Sequence, residues 1–255
     1  MARLTKASSN SEILAVLNET ADAVGVVLRA NTDWSLSGLR DTQYAVDLRA
    51  DAAALEVLTS AGVAVLSEES QFTGTFGEND LCVVMDPLDG STNASRGVPW
   101  FATALCAIDK SGMRAGLVVN QANGHDRYWA SAGGGAFHNG VAMRPSGCAE
   151  LSEAVVGISG IPKQRPKWGQ FRALGAAALD ICLVADGVID AWIDFNTHGV
   201  WDYLASALIC QEAGAFIVEH QDRSLVVHEH GQRRTPIAAA TSDLLASARQ
   251  IRAQQ

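Results

Sequence analysis

Apolar positions recur at helical spacing near the start of the chain and change to short continuous or alternating runs from about residue 63. Ile13, Leu14, Leu17, Val24, Val27 and Leu28 follow Ser9-x-x-Glu12, a capping-box pattern, and predict a helix over 11–29. A second helix is expected over 47–60 through Leu48, Leu55 and Leu58, with Gly62 just past its end. Strands are predicted at 63–66, 81–85, 102–108, 116–119 and 127–130, separated by Gly, Asn and Asp.

Past the turn-rich Gly133-Gly134-Gly135 and Asn139-Gly140 the pattern becomes an alternation. It predicts a strand at 154–158, a helix over 175–186, a strand at 189–194, a helix over 201–213 closed by Gly214, and strands at 215–218 and 237–240. A terminal helix capped by Thr241 or Ser242 completes it. The first half therefore reads as α+β and the second as α/β, with an expected division into units 1–143 and 144–255.

Composition narrows the class. With 255 residues, 48% hydrophobic and 18% charged, the chain can bury a core and is not disordered, and no apolar run approaches the roughly 18 residues a membrane span needs. The start, Met1 to Lys6, lacks the apolar segment of a signal peptide, so a cytoplasmic protein is expected. The five cysteines are widely spaced without a CxxC pair and read as reduced core thiols. A net charge of −9 without a basic run argues against a nucleic-acid partner. If so acidic a protein handles phosphate, something other than basic side chains must neutralise the anion, and divalent metal held by carboxylates is the obvious candidate.

Carboxylates stand where such a site needs them. Asp86 and Asp89 flank Pro87-Leu88 at the end of an apolar strand and before Gly90-Ser91, so two acids curl round one turn, and the Gly90 and Ser91 N–H groups can face an anion. Taken alone, the motif fits a surface turn equally well. Glu68 and Glu69 close the strand at 63–66, where their repulsion favours a bound cation or full solvation. Asp202 opens a helix, where the dipole alone accounts for an acid.

Together, Ser67-Glu68-Glu69-Ser70, Asp86-Pro87-Leu88-Asp89-Gly90-Ser91-Thr92-Asn93 and Trp201-Asp202 with Glu212-Ala213-Gly214 resemble, in order and spacing, the signature motifs of the inositol monophosphatase family. Segments 135–140, 175–178 and 190–194 agree with it. The resemblance implies a layered αβαβα sandwich, a first unit binding metal and phosphate, and two Mg²⁺ ions. One would be held by Glu68, Asp86 and the Leu88 carbonyl, the other by Asp86, Asp89 and Asp202. It implies that Asp47 bonds the Ser91 hydroxyl and with Glu68 orients the attacking water. Gly90, Ser91, Ala177 and Asp194 would contact the substrate, and the protein would be a homodimer.

Ser67, Ser91 and Ala176 depart from the usual residues, and Asp194 lies one residue farther from Asp202 than in inositol-specific enzymes, so the loop 195–200 is expected to differ. The expected activity is Mg²⁺-dependent hydrolysis of a small sugar or polyol monophosphate. Histidinol phosphate, fructose 1,6-bisphosphate and adenosine 3′,5′-bisphosphate are alternative substrates, and a non-catalytic metal- or phosphate-binding regulator is an alternative class. His228-Glu229-His230 reads as a solvated strand rather than a metal site, and His198 as a pocket or turn residue. Trp100 and Phe101 either pack or flank the site.

Overall fold

Residues 3–78 and 80–254 are described by the structure, a computed structural model. The chain passes from α1 (Asn10–Ala30) and α2 (Ala45–Ser60) into β1 (Ala64–Ser67), β2 (Gln71–Thr73) and β3 (Cys82–Asp89). It continues through the single turn α3 (Ser91–Ser95) to β4 (Ala102–Asp109), β5 (Gly112–Asn120), β6 (Arg127–Ser131), β7 (Gly135–His138) and β8 (Val141–Ala142). The second half runs β9 (Val155–Ser159), β10 (Gln170–Arg172), α4 (Ala177–Ala185), β11 (Ala191–Asp194), a 3-10 turn (Val200–Asp202) and α5 (Leu204–Ala213). It ends with β12 (Phe216–Glu219), β13 (Pro236–Ala239) and α6 (Ser242–Ala253).

Local chemistry sets the element ends. The Ser9 hydroxyl accepts the Glu12 N–H while the Glu12 carboxylate accepts the Ser9 N–H, the reciprocal pair anticipated from their spacing. α2 starts two residues earlier than expected because the Asp47 carboxylate accepts the Tyr44 N–H at 2.8 Å and so satisfies an orphan donor of the first turn. Gly214, at φ +89°, closes α5 in the left-handed conformation.

Strands β1 to β8 form one sheet in the order β2-β1-β3-β4-β5-β6-β7-β8, and the remaining five form a second ordered β10-β9-β11-β13-β12. All residues of β3 and β4 are buried, which explains apolar runs without alternation in those segments. α1 and α2 cover one face of the first sheet through Ile13, Leu17, Leu58, Met85 and Leu105. α4 and α5 fill the space between the sheets, with Leu179, Ile181, Trp192 and Leu204 in one continuous core. α6 covers the far face of the second sheet through Leu244, Ala248 and Ile251. Five layers result, helix on sheet on helix on sheet on helix, in agreement with the expected sandwich.

Where β5 crosses α5 the layers meet backbone to backbone: a Cβ on Gly116 would stand 2.8 Å from the Ala205 carbonyl oxygen. A larger residue there would force the middle helices off the sheet.

Several elements differ from the sequence-based expectation. β3 does not stop at Met85 but runs to Asp89, its pairing with β4 shifting register between Asp86 and Asp89, where Pro87 supplies no N–H. The helix expected over 201–213 is divided, because Tyr203 (φ −134°) leaves helical geometry between the 3-10 turn and α5. β2, β7, β8 and β10 are two to four residues long and too short to register as periodic segments. Residues 228–230 are not a strand, and His230 instead stacks on Trp201 at 4.6 Å. All five cysteines are free, as the sequence suggested.

One ion pair anchors the turn after β12. Burial opposes ionisation of Glu219, yet Arg223 at 2.5 Å and the N–H groups of Gln221, Arg223 and Thr235 outweigh it and hold the carboxyl at about 2. A depressed folded value stabilises above the ordinary pKa and loses that contribution as pH falls toward 2. Glu219→Gln should therefore lower the unfolding free energy by roughly 2 kcal/mol at pH 7, with the difference closing between about pH 4.5 and 2 in urea titrations. Gly116→Val should cost about 1–3 kcal/mol in the same assay.

Candidate active site

The carboxylates lie at the ends of three segments that the sheets and the middle layer bring together. Asp86 sits inside β3, 2% exposed, and its Oδ1 accepts the Leu88 N–H at 2.9 Å. Three residues on, Asp89 is 8% exposed, and the Ala178 N–H in the first turn of α4 donates to its Oδ2 at 2.7 Å. Glu68 follows β1 and is pinned beside β3 by its N–H to the Met85 carbonyl at 3.2 Å. Asp202 ends the 3-10 turn, its carboxylate accepting the Gly199 N–H at 2.9 Å.

One oxygen each of Glu68, Asp86 and Asp202 lie within 4.8 Å of one another. Burial raises the pKa of all three and of Asp89. After burial, the largest influence on Glu68 and on Asp89 is the charge of Asp202, and on Asp86 the charge of Glu68. The surrounding cations are engaged elsewhere: Arg40 with Glu69, His198 with Asp194, and Arg233 with the carbonyls of His230 and Gln232. Hard carboxylate donors gathered without a dedicated counter-charge fit a divalent cation of the magnesium, calcium or manganese type.

A supporting ring holds these groups. Glu69 points away from the cluster, its carboxylate receiving Arg40 and Gln43. The Glu68 carbonyl accepts Arg40 Nη1 at 3.2 Å and His230 Nε2 at 2.9 Å. At Gly90, φ is +83°, and a Cβ would press at 3.1 Å on Ala176 Cβ and on the carbonyls of Gly175 and Trp100, so only glycine turns β3 into α3 beside α4. Trp100 proves structural, its indole N–H donating to Asp180 at 2.7 Å, while Phe101 packs in the core under α1 and α2.

One expected contact is not formed. Asp47 makes no hydrogen bond to Ser91: one oxygen holds the Tyr44 N–H and Oδ1 is buried without a partner. Burial raises its pKa to about 7 against the Tyr44 bond. Asp194 is wholly buried, its oxygens accept from the Asn196 N–H at 2.8 Å and from His198 Nδ1 at 2.9 Å, and it is not among the residues that line the cavity. His198 faces the site instead. Burial disfavours its charged form, but Asp194 and the charge of Asp202 raise its pKa to about 9. Ala177, His198, Ser159, Asp180 and Trp192 line a cavity of about 230 Å³ that opens beside Asp89. Asp180, Ser159 and Arg40 were not singled out from sequence, and His230 was read there only as part of a solvated strand. Asp180, a lone acid in the apolar run 176–185, carried the one readable signal.

The family match and the relatives that follow make the chain a phosphoric monoester hydrolase, and the carboxylate cluster at the edge of this cavity fits that class. The chain belongs to the inositol monophosphatase family, whose model matches residues 9–254. It is 34% identical over 208 residues to a fructose-1,6-bisphosphatase/inositol-1-monophosphatase of Archaeoglobus fulgidus, covering 78% of this chain and 79% of that one. A Nus factor SuhB of Pseudomonas aeruginosa is 36% identical over 172 residues, 60% of this chain and 62% of the relative. The Thermotoga maritima IMPase superposes with a TM-score of 0.82 over 95% of this chain and 97% of that one at 21% identity, a likeness of fold. Among the described residues no helix is long and apolar enough to cross a membrane.

Removing one charge from a crowded buried cluster should help the metal-free fold. Asp86→Asn is expected to raise the melting temperature in EDTA by about 2–6 °C, and to abolish the further rise that Mg²⁺ or Mn²⁺ produces in the unsubstituted protein.

Proposed function

We propose that the protein hydrolyses small phosphate monoesters of sugars or polyols with Mg²⁺, and that two ions share the carboxylate cluster. The convergence of Glu68, Asp86 and Asp202 within 4.8 Å carries this reading. Glu68, Asp86 and the Leu88 carbonyl would hold one ion and Asp86, Asp89 and Asp202 the other. Bound there, Mg²⁺ would lower the pKa of water and offset charge on the ester oxygens.

The protein's own residues supply the rest. Phosphate monoesters are among the slowest esters to hydrolyse, and an enzyme must contribute on the order of 20 kcal/mol. A general base covers only about 3–5 kcal/mol of that, so positioning and fixed charges must dominate. Glu68, steadied through its backbone by Met85, Arg40 and His230, would orient the attacking water. Gly90 turns the chain so that its own N–H and that of Ser91 can hold the phosphate oxygens. The organic half of the ester occupies the cavity beside Asp89. In this reading residues 1–143 supply most of the metal and phosphate ligands, 144–255 supply Asp202 and the cavity wall, and the protein works as a homodimer without nucleic acid.

Phosphate release from a panel of sugar, polyol, amino-alcohol and nucleotide phosphates should require Mg²⁺ and stop in EDTA. Asp202→Asn and Asp86→Asn should each lower kcat by about a thousandfold or more. Near-normal Mg²⁺-dependent turnover in either variant would sink the assignment of these ligands.

A further inference from the structure

α6 alone covers the far face of the second sheet, whereas two helices cover the far face of the first. Beside α6 lies a cavity of about 330 Å³ that shares no residue with the cavity at Asp89. Its floor is apolar, formed by Leu151 and by Ile251, which is 8% exposed and belongs to the core under α6. One wall is a polar row: Ser247, Gln250 and Gln254 lie on the same side of α6 as Ile251, because residues three, four and seven apart are neighbours along a helix. The other wall is the segment after β9, which brings in Arg165 and Lys167.

The polarity is the reverse of that in the catalytic cavity. Among the described residues Asp89 and Asp180 line the catalytic cavity and no Lys or Arg does, whereas Arg165 and Lys167 line this one and no Asp or Glu does. In a chain of net charge −9, two cations on one cavity without an acid are a local excess of positive charge. Neither takes part in an ion pair among the described residues. Pro166 stands between them, fixing its own φ and biasing Arg165 toward extended geometry, in which side chains two apart point the same way. A guanidinium and an ammonium on one side of a short segment suit the oxygens of a phosphate dianion, and the uncharged row on α6 suits hydroxyls.

The segment that forms this wall also builds the catalytic cavity. Ser159 and Gly160 at its start and Ala173, Gly175 and Ala176 at its end line the catalytic cavity, while its middle lines the other. Residues 160–169 belong to no helix or strand, so their position depends on what they touch. Beyond them β10 is held to β9 over only three residue pairs. The Leu174 carbonyl then accepts the Asn93 side-chain amide at 2.8 Å, and the Gly175 carbonyl and Ala176 press on Gly90, where a Cβ would stand 3.1 Å from each. A ligand that orders the middle of the segment therefore bears on the Gly90–Ser91 turn through a continuous chain of contacts.

We propose that the cavity between α6 and the Arg165–Lys167 segment is an effector site for a small phosphorylated, hydroxyl-bearing metabolite, and that its occupant lowers KM at the catalytic cavity by steadying residues 160–176. The site stands on its own geometry, and the effect on KM rests on the hydrolase reading above.

Binding is measured by calorimetric titration in EDTA, where the acidic catalytic cavity has no metal to attract an anion. The probes are glycerol 3-phosphate, glycerate and glycerol, which carry similar hydroxyls and differ in the anionic group. Glycerol 3-phosphate should bind at one site, about tenfold or more tighter than glycerate, and glycerol should give no binding heat. Arg165→Gln combined with Lys167→Gln should weaken glycerol 3-phosphate by about tenfold or more, and Ser247→Ala combined with Gln250→Ala by about threefold or more. Both double variants alter side chains at the surface and should melt in EDTA within about 2 °C of the unsubstituted protein. With inositol 1-phosphate at saturating Mg²⁺, added glycerol 3-phosphate should give the unsubstituted protein a KM about twofold or more below that of the Arg165/Lys167 double variant, a comparison in which competition at the catalytic cavity cancels. No binding in EDTA, equal binding by that double variant, or tighter binding of glycerate would overturn the site. Equal KM values in the two proteins would overturn the effect on catalysis. Unsubstituted protein that released phosphate from no ester would sink the hydrolase reading and the effect on KM, while the calorimetry would still decide the site.

Discussion

Like charges gathered in a poorly solvated place are the constraint around which the molecule is organised. Glu68, Asp86 and Asp202 approach within 4.8 Å with Asp89 alongside, and burial raises all four pKa values. Such a cluster persists only if the surrounding fold over-determines it. The five layers do so: two sheets and their helices hold the three contributing segments through contacts made far from the site, and a cation bound there would satisfy the donors.

The middle layer couples the two halves of the chain to that cluster. α4 begins by donating the Ala178 N–H to Asp89 and is tied to the segment before β4 through Asp180 and Trp100, while α5 rests directly on Gly116 of β5 and follows the turn that carries Asp202. A shift of either helix would therefore move a carboxylate. The close approach at Gly116 and the triple contact at Gly90 are the points where packing leaves no slack.

Around the cluster, the division of labour between neighbours is specific. Of two adjacent glutamates, Glu68 faces the carboxylates and Glu69 faces Arg40 and Gln43, which anchor the segment before α2. Of the aspartates near the cavity, Asp89 and Asp180 line it and Asp194 lies behind His198. The chemistry presented to a ligand thus depends on which oxygen atoms remain uncommitted after the fold has used the others.

The local pattern by itself determined that the helices and the longer strands exist, because helical periodicity and unbroken apolar runs report burial directly: α1 with its Ser9–Glu12 box, α2, β3 to β6 and the helix closed by Gly214 were legible, though not every boundary. Motif spacing likewise brought Glu68, Asp86, Asp89 and Asp202 forward as partners. What only the tertiary structure decided was which atoms meet. Asp47 and Ser91 do not bond, His228 to His230 form no strand, and His230 reaches back to Glu68 across 162 positions of chain. Asp194 lies behind His198, which lines the cavity, and accepts from the Asn196 N–H and the imidazole. Periodicity encodes which face of an element is buried, whereas hydrogen-bond commitments between distant segments arise only when the layers close and each buried polar group must find its partner.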